Sequence, residues 1–144
     1  MSLPTGPDRP PGGVLVSDAV LRGAGVTAVL CGPLALINSL AQSGKETPSP
    51  AIGAAFSLLI LSSAALGGWV AGRRAPGRTL PNGAAAAAAG YLVIQALGLV
   101  VAASQGTLDA LSLVGVAYLT LLMSTCGLLG GALANRRNHK EYLP

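Results

Sequence analysis

Four long runs of apolar residues that contain no charged side chain are the strongest constraint on the fold of this chain. They cover residues 23–40, 51–72, 83–103 and 111–134. At about 1.5 Å of rise per residue, helices of these lengths cross or nearly cross a hydrocarbon core of about 30 Å. Helices buried inside a soluble protein are the alternative, but four such runs leave no polar faces to meet water. The sequence therefore predicts an all-α, integral membrane four-helix bundle.

The composition supports this fold class and one domain. Of the 144 residues, 51% are hydrophobic and only 10% are charged, whereas soluble domains carry about 25% charged residues. We expect a transmembrane domain over residues 17–135. A Pro- and Gly-rich tail over residues 1–16 precedes it and is predicted to be disordered, because it cannot bury enough apolar surface to offset its ordering entropy. A basic tail over residues 136–144 follows the domain.

The first apolar run is the least regular of the four. It contains Thr27, Pro33 and Asn38, and Pro33 is expected to remove a helix hydrogen bond and to kink the helix. A cleaved signal peptide is the alternative interpretation. However, the region before the run is proline-rich and 22 residues long, which fits a signal peptide badly. We therefore expect a retained helix.

The basic residues lie almost entirely on one side of the predicted membrane domain. If the chain crosses the membrane at each run, eight Lys and Arg residues share the side of both termini and the middle loop, and Lys45 alone lies on the other. Short cytoplasmic loops retain Lys and Arg, so both termini are predicted to be cytoplasmic. The expected topology anchors are Arg22, Arg73, Arg74, Arg78, Arg136 and Arg137. The excess of Arg over Lys, with abundant Ala and Gly, indicates a GC-rich bacterial genome and hence a bacterial plasma membrane.

The second and fourth runs end alike. Residues 66–74 (LGGWVAGRR) align with residues 129–137 (LGGALANRR) at an offset of 63. The repeat predicts two similar helical hairpins of the same orientation, related by an axis along the membrane normal. Convergence is the alternative, because any helix that leaves the bilayer on the basic side can end in small residues and arginines.

Small and polar residues inside the runs are expected to pack helices together. Small residues four apart let helix backbones approach closely. The predicted packing glycines are Gly67, Gly68, Gly72, Gly127, Gly130 and Gly131. Gln95 lies near the middle of the third run, where an unsatisfied amide costs several kcal/mol, so we expect it to face another helix. Packing is its simplest role, and a contact to a small ligand or a lipid is the alternative. Ala86 lies in a run of six alanines and is expected to tolerate a large side chain better than the packing glycines.

Groups for catalysis or ion coupling are missing from the four runs. None contains Asp, Glu, Lys, Arg or His, whereas coupled transporters usually need an intramembrane ionisable group. This excludes the small multidrug-resistance transporters, and Asp18 and Asp109 are expected to be solvated. Cys31 and Cys126 form no C-x-x-C pair, and His139 is a lone histidine, so we expect no metal site, no cofactor and no catalytic residue.

Residues 67–74 (GGWVAGRR) carry a resemblance to a known family. The chain resembles the four-span bacterial membrane proteins of the YrzE-like type in length, in helix number and in this exit from the second helix. Asn82 and Gly83 open the third run, where those proteins have His-Gly, so Asn82 departs from the pattern. The resemblance implies the four-helix fold and brings no activity with it.

These features together predict a non-enzymatic multi-pass membrane protein. We expect a structural or accessory role through helix–helix contacts in a homo-oligomer or a larger membrane complex. A small transporter or channel formed by oligomerisation is the alternative. The expected partners are the lipid bilayer and either further copies or another membrane protein. Nucleic acid is not expected, although the net charge is +4, because few aromatic residues accompany the basic ones.

Overall fold

The computed structural model describes residues 15–42, 49–106 and 110–141, which form four helices. They are α1 (Ser17–Gln42), α2 (Pro50–Arg74), α3 (Thr79–Ser104) and α4 (Ala110–Glu141). All four are long and apolar enough to cross a membrane. The predicted all-α four-helix bundle is therefore confirmed, and the chain is a multi-pass membrane protein. Residues 1–14, Lys45 and Asp109 lie outside the described residues.

All four helices extend beyond the predicted apolar runs, and α1 and α4 extend the furthest. α1 begins at Ser17, and its first turns hold an ion pair between Arg22 Nε and Asp18 Oδ1 at 3.0 Å. α4 continues to Glu141, so Arg136 and Arg137 lie on the helix and not in a separate tail. An apolar run ends where charge begins, whereas a helix ends where its backbone hydrogen bonding ends, and exposed charged side chains do not interrupt that bonding.

A tight turn joins α2 to α3. The Ala75 N–H donates to the Gly72 carbonyl at 3.3 Å, and the Arg78 N–H donates to the Ala75 carbonyl at 3.0 Å. Gly77 has a φ of +80°, a conformation that glycine adopts without the steric cost of a Cβ. This short connection makes α2 and α3 antiparallel neighbours.

The four helices pack as a rhombus with α2 and α3 on its short diagonal. α1 and α4 each contact both α2 and α3, and α2 contacts α3, but α1 and α4 do not contact each other in the described part of the chain. The edge between α1 and α3 is therefore opposite the edge between α2 and α4. These two edges are therefore separate surfaces of the bundle.

Residues 63 positions apart meet between the two hairpins. A Cβ on Gly23 would lie 2.8 Å from the Ala86 Cβ, and a Cβ on Gly90 would lie 2.7 Å from the Thr27 Cβ. α1 therefore runs parallel to α3, in agreement with the repeat. The expected axis along the membrane normal is wrong, however. A two-fold axis that exchanged α1 with α3 and α2 with α4 would make the α1–α4 contact equivalent to the α2–α3 contact, and only the second exists among the described residues. The hairpins lie side by side.

Candidate functional site

Backbone contacts between glycines close the bundle at its Arg-bearing end. All six predicted packing glycines are buried. A Cβ on Gly68 would lie 2.7 Å from the Gly127 Cα, and a Cβ on Gly72 would lie 3.1 Å from the Gly131 Cα. One on Gly131 would lie 2.5 Å from the Thr79 carbonyl oxygen. At Gly68 and Gly131 a Cβ would require the backbone to move, and at Gly72 the neighbouring helix would have to shift by a few tenths of an ångström. We call these contacts between α2, α3 and α4 the glycine seam.

Gly67 and Gly130 extend the same close packing. A Cβ on Gly67 would collide with the side chain of Thr27, and one on Gly130 would collide with the carbonyl oxygen of Ala65. The structure thus places all six glycines in contacts within one chain. Surfaces that contact another protein must therefore lie elsewhere on the bundle.

One face of the alanine run also belongs to this core, although the sequence did not show which of its residues face inward. Gly83, Ala86, Ala87 and Gly90 are all buried on α3, and their spacing of three and four residues is that of a single helix face. The sequence signal for this face is the pair Gly83 and Gly90, which flank the alanine run and lie seven residues, or two helical turns, apart. Ala86 was expected to tolerate a large side chain better than the packing glycines. It is fully buried against Gly23, so it has no free space that would distinguish it from them.

Asn82 connects the beginning of α3 to the beginning of α1. Its side chain is 0% exposed. Its Oδ1 accepts a hydrogen bond of 2.7 Å from the Val16 N–H, and its Nδ2 donates one of 2.8 Å to the Arg78 carbonyl. The sequence singled out Asn82 only as a departure from a family pattern. The signal that could have indicated a buried contact is an amide side chain at the edge of an apolar run.

Towards the opposite end the helices separate around a central cavity. The cavity has a volume of about 250 Å³, and side chains from all four helices line it. Its polar lining groups are Cys31 of α1, Ser57 of α2, and Tyr91 and Gln95 of α3. The cavity thus combines an apolar wall with a few convergent polar groups, an arrangement typical of small-molecule sites.

Gln95 lies where the cavity meets a second opening. Its Nε2 donates a hydrogen bond to the Tyr91 hydroxyl group. The sequence had led us to expect that Gln95 faces another helix, but this bond forms within α3. Its Oε1 accepts no hydrogen bond from the described residues. The second opening, which we call the α1–α3 groove, has a volume of about 660 Å³. Its lining comes from α1 and α3 and includes Gly32, Ala35, Leu36, Ile94, Gln95 and Gly98.

The expected topology anchors are exposed at the end of the bundle that holds the glycine seam. Arg22 pairs with Asp18. The guanidinium of Arg73 lies over the Trp69 ring, 5.0 Å from its centroid. The anchors found exposed in the described part of the chain are Arg22, Arg73, Arg74, Arg78, Arg136 and Arg137.

Comparisons of the chain with protein-family models, with curated proteins and with solved structures find no match. The resemblance to the YrzE-like proteins therefore stays a prediction. What the fold establishes is a multi-pass membrane protein with four helices of membrane-spanning length.

Proposed function

We propose that the protein is a non-enzymatic accessory protein of the bacterial plasma membrane that associates with further copies of itself through the α1–α3 groove. The observation that carries this proposal is the Gln95 Oε1, an acceptor without a hydrogen-bond partner among the described residues, at a groove that is open at the surface of the bundle. The excess of Lys and Arg on one side of the sequence supports an orientation with both termini in the cytoplasm.

The shape of the groove suits a partner helix. α1 and α3 are in close contact at Gly23 and Ala86, whereas Gly98 is exposed further along. The opening between them is lined mainly by small and aliphatic residues. Transmembrane helices associate at such surfaces because small residues allow close van der Waals packing.

The chemistry of Gln95 favours a partner that donates a hydrogen bond. An amide oxygen without a partner in hydrocarbon is unfavourable by several kcal/mol. Hydrogen bonds between transmembrane helices contribute about 0.6–2 kcal/mol to association. A donor on a neighbouring helix would therefore stabilise the complex and define its register.

Tyr118 of α4 is a donor of the right kind at the right depth. Its side chain is 66% exposed, and its hydroxyl group forms no hydrogen bond with the described part of the chain. The adjacent residue Leu119 lines the same cavity as Gln95, which places Tyr118 within one helical turn of the depth of Gln95. Because α4 does not contact α1, Tyr118 and the groove lie on different sides of the bundle. Two copies of the same orientation would therefore meet head to tail, which generates rings or open arrays.

Association in liposomes tests this proposal. Gln95→Leu and Tyr118→Phe are each expected to weaken self-association by roughly three- to thirty-fold, the range that corresponds to one interhelical hydrogen bond. The double variant should weaken it no further, because both changes remove the same bond. Thr125→Val is the matched control, since the Thr125 hydroxyl already donates to the Leu122 carbonyl at 2.7 Å. Fluorescence energy transfer between labelled copies measures the effect.

Cross-linking provides an independent test of the geometry. In a chain without Cys31 and Cys126, copies with Tyr118→Cys should form disulfides with copies that carry Gly98→Cys. Copies with Leu58→Cys, an exposed position on α2, should not form disulfides with the Tyr118→Cys copies. Equal cross-linking at both positions, or unchanged association in Gln95→Leu and Tyr118→Phe, would rule out the groove as the interface.

A small transporter or channel formed by oligomerisation is the second candidate function. The observation that favours it is the cavity lined by all four helices, with polar groups from three of them. Purified protein in liposomes should then release ions or small solutes faster than empty liposomes do. No release above the level of empty liposomes would remove this candidate.

A further inference from the structure

We propose that the α2–α4 edge binds one anionic phospholipid, with its phosphate at Arg73 and Arg74 and an acyl chain in the adjacent groove. This edge lies opposite the α1–α3 groove. The proposal therefore does not depend on the self-association described above.

The head of the site is a basic pocket at the end of α2. It has a volume of about 400 Å³ and is lined by Trp69, Val70, Arg73 and Arg74. Both arginines are exposed, and neither forms an ion pair with a carboxylate in the described ranges. Guanidinium groups match phosphate oxygens with two parallel hydrogen bonds. Contact with the Trp69 ring at 5.0 Å holds the Arg73 guanidinium in place.

The tail of the site is an apolar groove that begins at the same tryptophan. It has a volume of about 460 Å³ and is lined by Ser62, Ala65, Leu66, Trp69 and Leu133. The Ser62 hydroxyl donates to the Leu58 carbonyl at 2.8 Å, so it is already satisfied within its own helix. From Ser62 to Trp69 the groove follows α2 over seven residue-to-residue steps, which is about 10 Å at the rise of a helix.

The glycine seam explains why a groove exists at this edge. Gly130 of α4 lies against the backbone of Ala65 and Trp69, so α4 contributes no side chain there. Leu133 then forms the far wall one turn later. The close backbone contact thus leaves a shallow channel on the surface between the two helices.

The combination of the two parts selects a lipid over other anions. A free phosphate would use the arginine pocket and leave the apolar groove empty. An uncharged phospholipid would fill the groove but would gain less from the two arginines. Only an anionic amphiphile uses both, and a tryptophan at the junction is well placed at the boundary between headgroups and acyl chains.

Trp69 also supplies the measurement, because it is the only tryptophan in the chain. The full-length protein is placed in bilayers that contain a phospholipid with brominated acyl chains, which quench a nearby indole. We expect brominated phosphatidylglycerol to quench Trp69 more strongly than brominated phosphatidylcholine at the same mole fraction. The preference for phosphatidylglycerol should be at least about ten-fold, since a single hydrogen bond between charged groups contributes about 1.5–3 kcal/mol.

Two double variants with the same loss of charge make the test specific. Arg73→Gln with Arg74→Gln should reduce the preference to near one. Arg136→Gln with Arg137→Gln removes the same charge from the same end of the bundle but changes no residue of the pocket, and it should retain most of the preference. Equal losses in both variants would show general surface attraction and would overturn the proposal.

The groove and the free anion are tested separately. Ser62→Phe places a ring in the groove from an exposed position and should reduce quenching by brominated phosphatidylglycerol at least five-fold, with both arginines intact. Unchanged quenching in Ser62→Phe would overturn the assignment of the groove. Inorganic phosphate at concentrations above that of the lipid should not reverse the quenching. Full reversal would identify a free-anion site and would also overturn the proposal.

Discussion

Gly68 of α2 and Gly127 of α4 pack backbone against backbone, so that a Cβ on Gly68 would lie 2.7 Å from the Gly127 Cα. Apolar helices gain little from the hydrophobic effect when they associate in lipid, and close van der Waals contact must supply the attraction. This pair, together with Gly72 and Gly131, is therefore the contact on which the bundle most depends.

The first prediction concerns the sign of a glycine-to-alanine change. In an ordinary helix interior, alanine is more stable than glycine by roughly 0.5–1 kcal/mol. Gly68→Ala should instead lower the free energy of unfolding by about 1–3 kcal/mol, the usual scale of overpacking, because its Cβ has no space. Gly68→Leu and Gly131→Leu should lower the free energy of unfolding by at least the same amount. Thermal unfolding in detergent measures the difference.

Gly25 is the matched control for this prediction, because a Cβ on Gly25 would meet no atom within 4 Å. Gly25→Ala should leave the stability unchanged or raise it. Ala86 is unsuitable as a control, since its Cβ is buried against Gly23. An increase in stability in Gly68→Ala would show that α2 and α4 do not approach as closely as described.

The second prediction concerns Asn82. Asn82→Ala removes the acceptor of the Val16 N–H, in a bond that is partly buried, and should lower the free energy of unfolding by about 0.5–1.5 kcal/mol, the net contribution of a typical hydrogen bond. Hydrogen exchange at the Val16 amide should accelerate more than exchange in the middle of α1. Asn135→Ala, at an exposed position on α4, should change neither measurement. Unchanged exchange at Val16 in Asn82→Ala would contradict the connection between α1 and α3.

The third prediction concerns orientation in the membrane. Single cysteines at positions 78 and 109, in a chain without Cys31 and Cys126, should react with an impermeant thiol reagent from opposite sides of the membrane. Position 109 should react in intact cells, and position 78 only after the membrane is opened. The physical reason is the cost of moving short loops rich in Arg across the membrane. Reaction of both positions in intact cells would disprove this orientation.

The fourth prediction concerns coupling to protons. Any solute flux through the protein should not respond steeply to a proton gradient, since the four apolar runs contain no ionisable Asp, Glu, Lys, Arg or His. Asp18 is exposed and paired with Arg22, so Asp18→Asn should leave the flux in proteoliposomes unchanged. Gradient-driven uptake that disappears in Asp18→Asn would make Asp18 a functional residue.

Local features of the sequence were sufficient to predict the four helices and several important positions. Charge-free runs of membrane-spanning length predict helices without any knowledge of their neighbours, because the bilayer requires every backbone group to be bonded within the segment. The spacing of Gly68 and Gly72 indicated close packing, and Gln95 and the Arg73–Arg74 pair were recognised as polar groups that need a partner or a membrane surface.

Only the tertiary structure decided which surfaces meet. All four helices are predominantly apolar on every side, so hydropathy does not show which face is inward. For this reason Gly23, Ala86 and Gly90 became core residues that the sequence did not single out, and the repeat led to an axis that the bundle lacks. The bond between Val16 and Asn82 joins residues 66 positions apart, and no local pattern encodes such a contact. The cavity beside Gln95 and the groove beside Trp69 arise from the same cause: each is space left between helices, and it exists only once the glycine backbones have determined how closely the helices approach.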